Sequence, residues 1–553
     1  MTILNHVYRL IRLLVLSGPL ASALVMTGPE LFAADGLSPV AGLKELRQQR
    51  MQSAHRKRRI IFNNDGNSIV YKLKDKEVSA ETLLADRTTG LVGTHVDSIF
   101  YCPWSTSLGL FTYISQIAEP FYAKTGVVSA NRTKDFHGKG LDPLQIMVDF
   151  CKANEIEIFM SMRMNDIHDA YPQWPELLSQ FKKDHPELLF GSREKPPAFG
   201  FWSGLDYGRP KVQQRAFKLL EEVCRKYDVD GIQLDWLRHP PHFQCSSNGY
   251  DCTQVERDIM TGLHRRIRDM TERVGQQQGH PILIAVRIPA SRACCEAIGL
   301  DVVDWLEQDL VDMLVPGEWE LSPWEEWVAL GHQHDVPVYP DLNWSWSRRR
   351  QGPPDAQDGL ALRSFRARAM NIWHSGADGV HIFNLFDPMS PAWRELGDPE
   401  ILAGLEKDYF PDGYVRFLLG RDIRDPLRFW TLPTALAPEL PVRLEPTQPF
   451  TITMTIGEDL SSHLAGAKPD VTLSIRAGNL TNADALEVRL NGHAVSHGSL
   501  AEDWISYEVP PEWIRRGANT IRVINGDPSD KTGHNSGISL KNVHVGITRP
   551  RAL

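Results

Sequence analysis

From Arg59 onward, short apolar runs rich in β-branched or aromatic residues alternate with longer amphipathic stretches. Short apolar runs predict buried strands, and apolar positions recurring every three or four residues predict helices. Eight runs read as strands: Arg59–Asn63, Ser98–Cys102, Glu157–Met162, Gly231–Asp235, Ile282–Arg287, Met313–Pro316, Val336–Tyr339 and Gly379–Phe383. Between them, Pro210–Tyr227 carries Val212, Phe217, Leu220 and Val223 at helical spacing behind an initial proline. Val255–Val274 and Leu360–Trp373 repeat the pattern. Strand alternating with helix predicts a parallel sheet. Eight such units fit a (β/α)₈ TIM-type barrel better than an open sheet.

The pattern changes near Phe410. Proline-rich text follows (Leu432-Pro433, Ala437-Pro438, Leu440-Pro441), as in an interdomain segment. Beyond Phe450 the alternation has period two, as in Val471–Ile475 and Leu486–Leu490, and Asn491-Gly492 is a hairpin turn. A small all-β sandwich is expected there. At the other end, Arg9 and Arg12 precede the apolar stretch Leu13–Val25 and the small residues Ala33-Ala34, the three parts of a signal peptide. An uncleaved anchor is the alternative. The expected division is therefore 1–34 signal peptide, 35–58 basic N-terminal segment, 59–410 barrel, 411–446 linker and 447–553 sandwich. Within the basic segment, Lys44–Arg59 reads as a surface helix or a linker.

Composition narrows the function. With 42% hydrophobic and 23% charged residues the chain is an ordinary globular one, and its 553 residues exceed one core. A net charge of -9 disfavours nucleic acid as a partner. The 15 tryptophans suit a carbohydrate partner, because indole faces match the apolar faces of sugar rings. Seven cysteines match no zinc spacing, and no cofactor is expected. Cys245 and Cys252 flank a polar loop and can form a disulfide in an oxidising compartment. After removal of the leader no membrane partner is expected; the sequence leaves the oligomeric state open.

In a (β/α)₈ barrel the working residues project from the C-terminal ends of the strands. Those ends supply Asn64, Tyr101 and Trp104, then Arg163, Asn165 and Asp166, then Asp235, Trp236 and Arg238. Later strands add Arg287, Glu318, Asp341, Trp344 and Asn384. Glycosidic cleavage needs two carboxyl groups, hydroxyl donors and aromatic platforms, and this set contains all three.

The stretch Tyr227-Asp228-Val229-Asp230-Gly231-Ile232-Gln233-Leu234-Asp235-Trp236-Leu237-Arg238 resembles bacterial, secreted barrels of the glycosyl hydrolase-like 10 family. Ser161-Met162-Arg163-Met164-Asn165-Asp166 and Asp378-Gly379-Val380-His381-Ile382-Phe383-Asn384 support the resemblance, which covers roughly Arg59 to Phe410. It implies a glycosidase-like barrel that acts on or binds carbohydrate. It points to Asp235 as nucleophile and to Glu318 as acid/base. Physical reasoning adds that Arg238 or Arg287 can hold Asp235 ionised, while an apolar flank would raise Glu318. Asp341 is the rival second carboxylate and Asp166 a third.

Each residue also has a structural reading. Asp235 can be an acid paired with Arg238. Arg163, Asn165 and Asp166 can merely close the barrel mouth, and Trp104, Trp236 and Trp344 can be core. His168 reads as a loop histidine, and His332 and His334 lie at the wrong barrel end for a metal. Asn63–Asn67 looks faintly like a calcium loop but reads better as a turn. The expectation is an exported glycoside hydrolase; a non-catalytic carbohydrate-binding barrel is the alternative. A metal-dependent deacetylase or lyase is disfavoured, because no His/Asp cluster is expected at strand ends.

Overall fold

Eight parallel strands form the ring that the alternation predicts. They are β1 (Ile60–Asn64), β2 (Val96–Tyr101), β3 (Glu157–Arg163), β4 (Gly231–Asp235), β5 (Leu283–Ile288), β6 (Met313–Pro316), β7 (Asp341–Asn343) and β8 (Val380–Phe383). The computed structural model describes residues 39–104, 106, 108–317, 324–411, 440–460, 468–480, 482–526 and 537–549. The expected signal peptide and most of the 411–446 segment lie outside the described residues.

Pairing runs β6–β5–β4–β3–β2–β1–β8–β7, and a parallel bridge from Leu314 to Val338 joins the two ends. The seventh strand differs from its expected span, Val336–Tyr339. Pro337 and Tyr339 exchange backbone hydrogen bonds with Leu314 of β6 (3.0 and 2.8 Å), while Asp341–Asn343 pair with β8. The segment serves one neighbour before Pro340 and the other after it.

Alternation along each strand sorts side chains into two layers. Ile61, Phe100, Phe159, Leu283, Ala285, Met313, Val315 and Tyr339 pack inside the ring. Ile99, Tyr101, Ile232, Leu234, Trp236, Ile284 and Ile382 face the surrounding helices. Gly231 leaves room for the Phe159 ring, which a Cβ at that position would strike. The inner layers turn polar toward the mouth: Ser161 Oγ donates to Gln233 Oε1 (2.6 Å), and the layer above holds Arg163, Asp235, Arg287 and Asp341. At the opposite end Arg58, fully buried, donates to both Glu157 oxygens (2.6 and 2.7 Å).

The helices follow their sequence signals closely. Helix Pro210–Lys226 starts at the expected proline and buries Val212, Ala216, Leu219, Leu220, Val223 and Cys224. Helix Gln254–Gln278 is opened by a capping box between Thr253 and Glu256 and closed by Gly279 at φ 80°. The basic segment forms helix Pro39–Ala54, whose Arg47 donates to Glu272 (2.7 and 2.8 Å). Among the described residues no helix is long and apolar enough to cross a membrane.

The C-terminal strands are all antiparallel. They are β9 (Lys407–Tyr409), β10 (Val442–Arg443), β11 (Pro449–Ile456), β12 (Asp470–Gly478), β13 (Leu486–Leu490), β14 (His493–Val495), β15 (Ser499–Ala501), β16 (Trp504–Val509), β17 (Gly517–Asn525) and β18 (Ser539–Thr548). One sheet has the order β9–β18–β12–β16–β15, with β10 also on β18; the other is β11–β17–β13–β14. Ile452, Leu473, Ile475, Val488, Val523 and Val545 of the two sheets share one core.

Strand β9 lies inside the span expected for the barrel, and β10 inside the span expected for the linker, yet both pair with β18. Arg363, on barrel helix Leu360–His374, donates to Asp408 of β9 (2.6 Å), whose other oxygen meets His544 (2.7 Å). Lys407 is buried against Glu458 (3.1 Å), and burial lowers its ammonium to about 8 despite that partner. Arg363, with Asn371 donating to Thr455 O (3.0 Å) and accepting from the Gly457 N–H (2.8 Å), clasps the β domain to the helix between β7 and β8.

Candidate functional site

Two chains of ion pairs meet at the C-terminal mouth of the barrel. In the first, Arg287 reaches from β5 to both neighbouring acids. Its Nη1 donates to Asp235 (3.2 and 3.3 Å), and its Nη2 donates to Asp341 Oδ2 (2.7 Å). The guanidinium lies 4.4 Å from the centroid of the Phe383 ring and is fully buried. His381 Nδ1 completes this chain at 2.6 Å from Asp341 Oδ1. Burial alone would raise the Asp341 carboxyl, but Arg287 and His381 outweigh it and hold the group below its ordinary range. Asp235 also accepts from the Leu237 N–H (3.2 Å). It follows Leu234 on a strand whose odd members face inward, so parity sends its carboxyl into the mouth.

In the second chain, Arg163 at the end of β3 donates to Asp65 Oδ1 and to Asp166 Oδ2, each at 2.9 Å. Burial would raise Asp65, but Arg163, Arg238 and Arg87 hold it at about 2. Burial likewise opposes ionisation of Asp166, but His168, Arg163 and His239 keep it well below the usual carboxylate range. Asp166 Oδ1 meets His168 Nδ1 (2.8 Å) and accepts from the His168 N–H (3.0 Å). Arg238 Nε lies 3.8 Å from Asp166 Oδ2, and its guanidinium carbon lies 5.7 Å from the Phe383 ring centroid. Phe383 thus sits beneath an arginine from each chain. The chains also touch through the backbone: Arg163 is in register with Asp235, and Met164 N donates to Asp235 O (3.1 Å).

Of the two arginines expected to hold Asp235 ionised, Arg287 is its partner, while Arg238 faces Asp166. Several expected contacts are elsewhere. Trp236 faces outward, fully buried, with its indole N–H on His264 Nε2 (3.2 Å), so it presents no ring face to a ligand. Tyr101 has the same outward parity and is 1% exposed. Trp104 packs edge-on against Tyr71 in a satellite core, and Trp344 edge-on against Phe365. The physical reason is common to Tyr101 and Trp236: each is one residue out of phase with the inward positions of its strand.

Asn165 is a fastener. Its amide donates to Leu205 O and Pro241 O (3.3 and 3.2 Å) and accepts from the Leu205 N–H (3.1 Å). Asn64 turns the chain, accepting from the Gly66 N–H (3.1 Å). Asn384, at φ 64°, donates to Asn343 Oδ1 (3.0 Å) on the rim. Glu318 lies outside the described residues.

Three residues outside the expected site set belong to the mouth. His381 was detectable as a polar residue at an inward position of an otherwise apolar strand. Asp65 follows β1 and pairs with Arg163. His239 lies four residues beyond Asp235, and its approach to Asp166 depends on the path of the loop. Against the expectation that no His/Asp cluster falls at strand ends, one ligand atom each from Asp166, His168 and His239 lies within 4.8 Å of the others.

No curated protein is detectably similar in sequence. Among solved structures, alpha-L-fucosidase isoenzyme 2 from Paenibacillus thiaminolyticus aligns with 63% of this chain and 49% of its own, at 14% identity and TM-score 0.38. The chain thus spans about half the length of that relative. The PgaB (BpsB) glycoside hydrolase domain from Bordetella bronchiseptica aligns over 62% of this chain and 99% of its own, at 12% identity and TM-score 0.37. An alpha-galactosidase from Lactobacillus brevis aligns over 93% and 58%, at 12% identity and TM-score 0.35. Likeness at this level says nothing of substrate. Residues 79–260, from the helix before β2 into the helix after β4, match the family described as Glycosyl hydrolase-like 10, and over that stretch the chain is similar to this family.

Proposed function

We propose that the protein is an exported glycoside hydrolase acting on a poly- or oligosaccharide, with Asp235 as nucleophile and Glu318 as general acid/base. The observation that carries this reading is the Asp235–Arg287–Asp341 arrangement. An inward carboxylate at the end of β4, with both oxygens on one nitrogen of a buried guanidinium, is held where attack on a sugar in the mouth would start. The same geometry argues against the rival proton donors. Asp341 has one oxygen on Arg287 and the other on His381, and Asp166 is engaged by Arg163 and His168. Both are held ionised, which suits no group that must give a proton to a leaving oxygen. In this reading the acid role stays with Glu318, two residues after β6 in the sequence.

Export rests on the pattern of residues 1–34. Arg163, Arg238, Asn384 and the rim amide Asn343 supply hydroxyl contacts in this reading, while Trp236, Tyr101 and Trp104 serve the core.

The test is release of reducing ends from a panel of poly- and oligosaccharides by the native chain, Asp235→Asn and Glu318→Gln. Turnover by the native chain that both substitutions abolish, with folding retained, is expected. Glycan binding without turnover in all three forms would replace the proposal by a carbohydrate-binding barrel. A carboxyl separation of roughly 5–5.5 Å between Asp235 and Glu318 would go with retention, and roughly 6.5–9.5 Å with inversion.

A further inference from the structure

We propose that Asp166, His168 and His239 form a binding site for a divalent late first-row metal ion on the rim of the barrel mouth. A carboxylate oxygen and one nitrogen from each imidazole lie within 4.8 Å of one another. The two imidazole rings meet edge to face with centroids 5.0 Å apart. His239 Nδ1 is buried and has no hydrogen-bond partner. A buried ring nitrogen without a partner is costly, and a metal ion bound at Nδ1 would satisfy it.

The donor set selects the class of ion. Two imidazoles and one carboxylate suit zinc, cobalt or nickel, whereas calcium and magnesium take oxygen ligands. Asp166 Oδ1 and His168 Nδ1 stand 2.8 Å apart. Once an ion replaces the hydrogen-bonded proton between them, which is released to solvent, two donors at that separation, each about 2.1 Å from the ion, would subtend roughly 84° at it, close to the cis angle of five- or six-coordination. His239 then closes from the side. His168 opens the 3-10 turn His168–Ala170 and His239 follows β4 in a loop, and both side chains are partly exposed.

Charge is divided cleanly on Asp166. Oδ2 faces Arg163 and Arg238, while Oδ1 faces the imidazole of His168. Arg163, Arg238 and Arg87 at least match the acids Asp65 and Asp166 in charge, so the pocket has no excess negative charge to draw in any cation. Ligand type therefore dominates selection, which favours nitrogen-seeking ions. Three protein donors leave coordination positions for sugar hydroxyls or a carboxylate. The site stands apart from the role of Asp235, four residues before His239, and is read without turnover.

The experiment uses the full chain without a histidine tag, stripped with a chelator and titrated calorimetrically with zinc and with cobalt(II). One ion per chain is expected, with a weak cobalt(II) visible spectrum typical of five or six ligands. His239→Ala and His168→Ala should each weaken binding at least tenfold, with circular dichroism unchanged. Asp235→Asn and His332→Ala should leave it unchanged. Excess magnesium should not displace the ion. Absence of saturable binding, binding by both histidine variants as tight as by the native chain, or displacement by equimolar magnesium would each overturn the site. Loss of binding in Asp235→Asn would overturn its independence from the nucleophile.

Discussion

Replacing Arg287 by methionine tests the central electrostatic claim. The side chain is fully buried and bonds two carboxylates that are themselves almost fully buried. Methionine keeps much of the volume and the contact with Phe383 but removes the charge. Breaking a buried ion pair from one side costs about 3–5 kcal/mol, because the remaining charge is left without compensation. The cost must depend on pH. In the native protein Asp341 lies below its ordinary range, since Arg287 and His381 outweigh burial. Without Arg287, only His381 opposes the burial of Asp341, and burial is expected to lift the folded-state value above the unfolded one. The unfolded state then binds fewer protons than the folded state, and the variant loses stability as pH rises through the raised value. At about 1.4 kcal/mol per pK unit, the gap between variant and native should narrow by about 1–3 kcal/mol between pH 7 and pH 5. Urea unfolding followed by tryptophan fluorescence at the two pH values measures this gap. Adding Asp341→Asn should recover part of the loss at pH 7. A loss below about 1 kcal/mol, or a gap independent of pH, would refute the reasoning.

Two further outcomes follow from the same physics. Asp65, held at about 2 by Arg163 and its neighbours, stabilises the fold fully above the unfolded carboxylate value near 4, and this is lost as pH falls toward 2. Asp65→Asn should flatten acid unfolding in that window by about 2 kcal/mol; an unchanged acid limb would contradict the pairing. The Cys245 and Cys252 sulfurs lie 3.3 Å apart, so a small-molecule disulfide such as oxidised glutathione should convert the pair to a bridge, with two thiols lost in a titration. Cys245→Ser should abolish that loss, and two thiols lost in the variant as well would assign the reaction to other cysteines.

The division of barrel and β domain shows how far local pattern reaches. Strand β4 was legible to the residue, because an apolar run bounded by Asp230 and Asp235 can do little else after an amphipathic helix. Strand β7 was less so, since Pro340 splits its hydrogen bonding between two neighbours. Strand β9 falls in the span expected for the barrel, because three residues with no alternation carry no sign of a partner nearly 140 positions later.

The mouth tells the same story at the level of side chains. Period two, applied strictly, separates Asp235 and Arg287 from Tyr101 and Trp236, and His381 could have been gathered by the same rule. Local chemistry thus determined which strands exist, which helices follow them and which acids can face inward. Only closure of the ring decided that Arg287 answers both Asp235 and Asp341, and that His239 meets Asp166 and His168. Those pairings join residues 52, 54 and about 70 positions apart, and no local preference encodes a distance across a barrel. Periodicity is set by backbone geometry residue by residue, whereas contact across the mouth depends on strand tilt, register and loop path summed over the whole ring.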